Sequence, residues 1–582
     1  MESNSQLDAV GFACAGFAQV KAVLFVGLLS LTLLRGNLRA QCITDRQDHS
    51  QIQELFEQHN WDEVVRMAER LPHRSADLNF AYGMALAHLE RWPEARAALL
   101  AGQGECPSQK RFPIELAGIA FEQKRYPEAA AWLRIGLKLD PRDDYANNFA
   151  GSVYFVMGNL NAALKYWNRV QKPYIAALDF DQHLRVQRLI LDRAFVFSPA
   201  ADLKQADFAA TEARLKGLGI FPAYNIALMA RADGSFDADF HAMERDGFGS
   251  SRLQALVATF AGAPYETIYP SYFNIGKSAT NVESLLRWDA NKRRAWVSFS
   301  APLHDLPQWR SQFSIDARDE NWVIRQSFTG PAPALGSLNL ERQALTGRVT
   351  SFSSGRLTWS TGAELSHRSY SDVVYGTALT PALVSSGFEL KPMASIEDKI
   401  LDIPDRRFSL TTEASSEIGR LWSNPAILFG KLQGSAAADW FPQAQGDKYE
   451  AEQRLRAGRS SGGAPFDELF MLGMERDTDL WMCGQIGTRD GRKGSSPLGN
   501  DYFISNTDFY KRLYGNGLFA IKAGPLLDIG RAGAPTYGLS NGQWLFDAGA
   551  EVKLTVLGTN VAIIYGRDLR AGSNAFYGTA AR

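Results

Sequence analysis

The stretch Asp479–Asn506, DLWMCGQIGTRDGRKGSSPLGNDYFISN, gathers the side chains with the most chemical potential: Cys483, Arg489, Asp490, Arg492 and Lys493, among five glycines. A thiolate is a nucleophile or a soft metal ligand, but only with suitable neighbours. None stands at a ligand spacing. The eight histidines are scattered without an H-x-x-x-H pair, and the four cysteines match no zinc or redox motif. GTRDGRKGS lacks the G-x-x-x-x-G-K-[ST] spacing of a phosphate loop and opens no helix. The sequence presents no enzyme site, no cofactor site and no metal site.

The elements flanking this stretch read as strands, and so does most of the second half. In Trp309–Arg318, Trp309, Phe313, Ile315 and Ala317 share one face, and Arg310, Gln312, Ser314, Asp316 and Arg318 the other. In Tyr449–Ala457 the apolar Tyr449, Ala451, Leu455 and Ala457 oppose Glu450, Glu452, Arg454 and Arg456. In Ala548–Val556 the apolar side opposes Glu551, Lys553 and Thr555. Alternation alone fits a soluble sandwich with charges outside or a membrane barrel with charges inside. The segments often reach the ~9–11 residues of a tilted spanning strand. Aromatics fall near strand ends, at Trp309, Trp322, Trp440, Phe441, Trp544, Phe576 and Tyr577, as an interfacial girdle would place them. Residues 250–582 are therefore expected to form a transmembrane β-barrel of about sixteen antiparallel strands.

Three further regions precede it in a chain of 582 residues, too long for one ordinary domain. Ala22–Leu34 is an apolar run behind Lys21, and small Ala40 precedes Gln41. Residues 1–40 read as a secretory signal, with a single membrane anchor as the other reading. Export would put Cys42 and Cys106 in an oxidising compartment, where a bond between them is an expectation to test. Residues 41–180 repeat: HNWDEV, ERWPEA, KRYPEA and GNLNAA put Trp61, Trp92, Tyr126 and Leu160 at equivalent points, the last two steps being 34 residues. Ala95, Ala129 and Ala163 recur three places on, and Gly83, Ala117 and Gly151 nine places before. The period resembles tetratricopeptide repeats, an α-helical solenoid with a concave partner-binding face. An unrelated helical bundle is the alternative.

Residues 186–245 change character. Leu189–Phe197 reads as a strand, Asp207–Phe221 as a helix, and Tyr224–Glu244 as a hairpin turning at Asp233-Gly234, with Ile226, Leu228, Ala230, Phe236, Ala238 and Phe240 on one face. The pattern resembles the last part of a POTRA module, and equally an unrelated α/β linker domain. A net charge of −1 leaves no basic footprint for nucleic acid.

Pro465–Gly473, Asp479–Phe509, Gly524–Arg531 and Tyr565–Tyr577, in this order, resemble the C-terminal barrel of the BamA/TamA-type outer-membrane assembly family. The resemblance spans about 185–582. It implies that the long polar segment folds into the barrel lumen, where an Arg-Gly-aromatic signature pairs with an acidic residue on a neighbouring strand. Aligned by its flanks, this chain places Cys483 at the arginine, Gly484 at the glycine and Gln485 at the aromatic, with Asp528 as the acidic partner. A cysteine has no guanidinium fork. The resemblance leaves three readings: Arg489 or Arg492 pairs with Asp528, the loop is held more weakly, or Cys483 is a substitution without chemistry of its own. It further implies a non-enzymatic protein of the bacterial outer membrane, set in the lipid bilayer. Its periplasmic repeats and POTRA-like module would dock client or partner polypeptides, and the barrel would assist their insertion or translocation. A passive pore or structural scaffold is the alternative.

Overall fold

The computed structural model describes residues 50–325, 334–516, 519–536, 538–556 and 559–581. The expected leader and Cys42 lie outside these. Residues up to Ala146 form one compact unit and Asn147 onward a second. No described helix is long and apolar enough to cross a membrane, which says nothing about strands.

In the first unit, Trp61, Trp92 and Tyr126 each open a helix, Trp61–Glu69, Trp92–Glu105 and Tyr126–Leu139. Pro93 and Pro127 follow at the first turn, where a fixed φ favours the helix and the missing N–H costs nothing. The intervening helices are Ala76–His88 and Arg111–Glu122. Ala95 and Ala129 are fully buried. A Cβ on Gly83 would sit 2.8 Å from Leu99 Cγ, so the small residues of the period are where helices meet closely. Cys106 ends the helix Trp92–Glu105 and is disulfide-bonded. In the second unit the pattern continues with Leu160 opening Leu160–Trp167, Ala163 buried, and no room for a Cβ on Gly151 beside the Trp167 indole.

A four-stranded sheet follows: β1 (Tyr174–Phe180), β2 (Ala201–Asp202), β3 (Ala223–Ala230) and β4 (Phe236–Met243), in the order β2-β1-β4-β3. β1 runs parallel to β4, and β3 pairs antiparallel with it. The hairpin turn is the expected one. Asp233 Oδ1 accepts from Ser235 N and Oγ, and Gly234 holds φ +83°. Ile226, Leu228, Ala238 and Phe240 enter a core with Leu215 and Leu218 of the helix Gln205–Leu218. Leu189–Phe197 does not form the expected strand. Arg188–Ala194 is a helix burying Ile190, Leu191 and Ala194, and the strand beside β4 is Tyr174–Phe180. A short apolar run fits either period, and packing against the sheet chose the helix.

The remaining strands, apart from one short two-stranded pair, close on themselves. They are β5 (Thr267–Ile268), β6 (Ser271–Ile275), β7 (Thr280–Asp289), β8 (Lys292–Leu303), β9 (Leu306–Arg325), β10 (Ala334–Ser351), β11 (Leu357–Val374), β12 (Gly387–Ile403), β13 (Phe408–Trp422), β14 (Ile427–Trp440) and β15 (Tyr449–Gly462). After short pieces β16 (Phe470–Met471), β17 (Thr488–Arg489), β18 (Arg492–Lys493) and β19 (Leu498–Gly499) come β20 (Asp501–Gly515), β21 (Phe519–Gly533), β22 (Leu545–Val556), β23 (Thr559–Asp568) and β24 (Asn574–Ala581). Phe313, Ile315, Leu345, Leu365, Leu432, Leu455 and Ile563 are exposed on the outside. Arg294 and Arg318 both donate to Asp316 within. A closed ring with charges inside and apolar side chains outside is the reverse of a soluble sandwich.

Two details differ from expectation. Trp322 is not in a girdle: it shares the inward face with buried Glu320 and Ile324 and meets Phe466 edge-on at 5.0 Å. Tyr577 also points inward, 6.1 Å from the Trp481 ring. Among the described residues the ring holds fourteen long strands, β7–β15 and β20–β24, and the short β5 and β6, which fits the expected number of about sixteen. The first strand of the ring breaks at Pro270 into β5 and β6, because proline has no N–H for a ladder. Next to it, Tyr269 N donates at 2.9 Å to Thr259 O of the helix Arg252–Phe260.

Candidate functional site in the barrel lumen

The excursion between β15 and β20 runs over residues 463–500, earlier and longer than its polar part suggested, and Asp501–Asn506 already belongs to β20. It has an apolar body. Phe470, Leu472, Leu480 and Met482 are buried together with Tyr502 and Ile504 of β20. β16 and β19 pair within it, and the hairpin β17–β18 touches β9 at Lys493 and Trp322.

Charged side chains fix this body to the barrel wall at three places. The helical turn Phe466–Glu468 supplies the first. Glu468 accepts from Lys391 Nζ at 2.9 Å and Lys431 Nζ at 3.0 Å, and Arg342 and Arg368 lie at 3.5 Å. Tyr370 OH donates to Asp467 at 2.6 Å. Burial alone would raise the Glu468 carboxyl, but Lys391, Lys431 and the two arginines outweigh it and hold it well below the usual range. This place ties the loop to β10, β11, β12 and β14.

The second is Asp477. It takes two bonds from Arg287 of β7, at 2.9 and 3.2 Å, one from Arg294 of β8 at 2.7 Å and one from Lys493 at 2.6 Å. Lys493 also reaches Glu320 of β9 at 2.7 Å. Arg287, Asp477, Glu320 and Lys493 are almost wholly enclosed. Burial opposes the charge on Asp477, and the three cations nevertheless hold its carboxyl well below the usual range.

The third is the Cys483–Gln485 tripeptide. Cys483 N donates to Asp528 Oδ2 at 2.7 Å, and Gly484 N to Asp547 Oδ2 at 2.8 Å. Gln485 Nε2 reaches Asp547 Oδ1 and Asp568 Oδ2, both at 3.1 Å. Asn506 Nδ2 completes Asp528 at 2.7 Å. The bonds fall on β21, β22 and β23. Gly484 is required sterically, since a Cβ there would stand 2.6 Å from Asp568 N and 2.7 Å from the Asp547 carboxylate. Neutral N–H donors therefore satisfy three buried carboxylates where the family resemblance implies a guanidinium. Arg489 and Arg492 face each other across β17–β18 instead, while Asp528 is engaged by Cys483 and Asn506.

Donor atoms of Cys483, Asp528 and Asp547 lie within 4.8 Å of one another, as do those of Glu364, Glu389 and Glu468. The second trio is already filled by Arg342, Arg368 and Lys391. In the first, burial and then the Asp528 and Asp547 charges push the Cys483 thiol far above its ordinary range, so it is neither a nucleophile nor a ready thiolate ligand. A cavity of about 410 Å³ adjoins Cys483, lined by Glu452, Arg454, Asp508, Glu551 and Lys553 among others.

Sequence reasoning missed Asp467, Glu468, Asp477, Asp547 and Asp568. Their partners were visible as the polar faces of strands, but pairs such as Arg287–Asp477 join positions 190 residues apart. Gly458–Gly462 also has G-x-S-x-G spacing. Ser460 lies inside β15 and donates both N and Oγ to Asn500 O, with no strand-to-helix elbow to expose it.

No family model matches this chain. No curated protein matches it either. Among solved structures, BamA from Haemophilus ducreyi lacking POTRA domains 1–3 aligns at 10% identity over 70% of this chain and 84% of its own, with a TM-score of 0.39. CdiB from Escherichia coli aligns at 13% over 71% and 74%, TM-score 0.45. CdiB from Acinetobacter baumannii aligns at 12% over 69% and 71%, TM-score 0.39. At such scores the likeness assigns nothing, and the function rests on the geometry of the barrel and its loop.

Proposed function

We propose that this chain is a bacterial outer-membrane barrel that assists insertion or translocation of polypeptides. In this reading residues 1–40 direct export. The helical repeats and the POTRA-like module, whose sheet takes in β1 at Tyr174–Phe180, lie in the periplasm and dock client or partner chains. The apolar exterior suits lipid, and closure satisfies the backbone there. The edge strand β3 of the module offers a client unpaired backbone groups. No nucleotide or metal enters the scheme, and the chain acts as no enzyme.

The observation that carries the reading is the meeting of β24 with β5. β24 shares its described ladder with β23, and β5 and β6 share theirs with β7. The first and last strands meet there to close the ring, and in this reading that junction is where a client strand would enter. The filled lumen weighs against the passive pore, because the loop 463–500 is fixed to strands around the wall. Reconstitution tests it: purified protein in lipid vesicles should accelerate folding of an unfolded client barrel. Steady ion conductance with unchanged client folding would favour the pore.

A further inference from the structure

The chain between the small sheet and the barrel carries a helix turned inside out. Arg252–Phe260, RLQALVATF, starts on a cap in which Ser251 Oγ accepts from Gln254 N at 3.1 Å. Leu253, Leu256 and Phe260 stand three and four positions apart and so share one face. They are 62%, 58% and 53% exposed. The polar Gln254 is buried, its Oε1 accepting from Ser250 N at 3.2 Å. A helix folding against water would turn the leucines in and the glutamine out. The helix has no acidic residue, and its one charge, Arg252, is exposed at its start.

The register of the wall places this face. Tyr272 of β6 is opposite Val282 of β7, Val282 is opposite Phe299 of β8, and Phe299 is opposite Phe313 of β9. Residues opposite one another across a ladder share a face. Phe313 is on the outside, so Tyr272 is outside too. Phe248 meets the Tyr272 ring edge-on at 5.0 Å and is itself exposed. The helix that follows lies against β5 and β23, and its Thr259 O accepts from Tyr269 N at 2.9 Å. The entry to the helix is tied to the module's end of the barrel. Gly247 exchanges backbone bonds of 3.0 and 2.7 Å with Phe273, and the turn after β6 accepts Gln187 N of the module at Lys277 O, 2.8 Å.

We propose that the helix Arg252–Phe260 is a lipid-binding element. It lays Leu253, Leu256 and Phe260 among the acyl chains of the leaflet on the module's side and holds Arg252 at the phosphate headgroups. An interfacial helix of this kind sinks its apolar face by ~5–10 Å, and arginine reaches back to the polar layer along its apolar stem. The occupant is lipid, because the patch runs into the barrel's own apolar exterior at Tyr272 instead of ending at a polar rim, as a protein interface does. The bilayer then fixes the link between module and barrel and holds the small sheet at the membrane surface. This rests on the reading of the barrel as set in a bilayer.

The test separates the two. A nitroxide is attached at Leu256→Cys and, in a second protein, at Leu345→Cys on the barrel exterior. Both are the full chain with Cys483, the free cysteine among the described residues, changed to Ser. Vesicles of phosphatidylethanolamine and phosphatidylglycerol hold the protein. Oxygen, which concentrates among acyl chains, and a water-soluble nickel chelate compete to relax the label. At Leu256 oxygen should dominate, and the ratio of the two should read a depth of ~5–10 Å. Adding Leu253→Asp and Phe260→Asp should move the label toward water and raise its relaxation by nickel, with heat-modifiable gel mobility unchanged. Leu253→Cys carries the label if Leu256→Cys does not fold. A Leu256 label open to nickel while the Leu345 label is not overturns the lipid role and leaves the barrel reading intact. Shielding of Leu256 from both reagents assigns the face to protein and also overturns it. Nickel access at both positions removes the bilayer reading, and this inference with it.

Discussion

Three carboxylates at the third anchor, Asp528, Asp547 and Asp568, are at most 4% exposed and have no ion pair among the described residues. Each oxygen is served by neutral donors, whose bonds are weaker than those of a charged one. Cys483→Arg supplies the missing cation. The side chain is longer than the thiol, but the adjoining cavity of about 410 Å³ gives it room. A hydrogen bond to a charged group contributes roughly 1.5–3 kcal/mol. Part of that is offset by taking the guanidinium out of water, so a net gain of about 1–2 kcal/mol is expected. It should appear as a higher midpoint of denaturant unfolding, followed by loss of heat-modifiable gel mobility. The cycle is closed with Asp528→Asn, which keeps an acceptor for Cys483 N. The gain should shrink by most of its value in that background, since the coupling belongs to the pair. A coupling below about 0.5 kcal/mol, or a lowered midpoint in Cys483→Arg, would refute the view that this site lacks a cation.

Gly484→Ala should be poorly tolerated, with a loss of about 2 kcal/mol or more, because its Cβ enters the Asp547 carboxylate; unfolding midpoints of the folded barrel check this. Asp477 and Glu468 are held below their ordinary range, so their stabilisation is complete above the unfolded values of about 3.9 and 4.3 and is lost as pH falls through the lower folded values. Protease resistance of the loop should therefore stay level from pH 8 to about 5 and fail only in stronger acid; failure already near neutrality would contradict the assignment. Phe240→Ala in β4 should cost about 3–5 kcal/mol and unfold the small sheet, since Phe240 is fully buried against Phe195 and Phe221, and hydrogen exchange of β3 reads the loss.

How much of this was legible in the sequence depends on the range of the interaction. The aromatic openings Trp61, Trp92 and Tyr126 and the small Ala95 and Ala129 are local signals, and each stands where the period placed it. The hairpin at Asp233-Gly234 rests on four residues and a positive φ, again local. The faces of β9, β15 and β22 followed from a period of two, which backbone geometry imposes on any strand. Leu189–Phe197 failed because its few apolar residues suit both periods, and only the neighbouring sheet chose between them.

The sequence by itself determined the alternation of the strands, the helical period, and the presence of a long segment rich in glycine and charge before β20. Tertiary structure alone decided what that segment does. Asp477 meets Arg287 and Arg294 because closing the ring brings the first strands to the loop, across separations that no local pattern encodes. Asp547 and Asp568 join Asp528 because three successive strands align their inward residues at one height. The break at Pro270 was visible as a residue, but that it falls at the seam is a property of the closed ring. Electrostatic pairing is pairwise and long in sequence, whereas periodicity is a property of neighbours, and this is why the barrel wall could be read from the chain and the anchors of its loop could not.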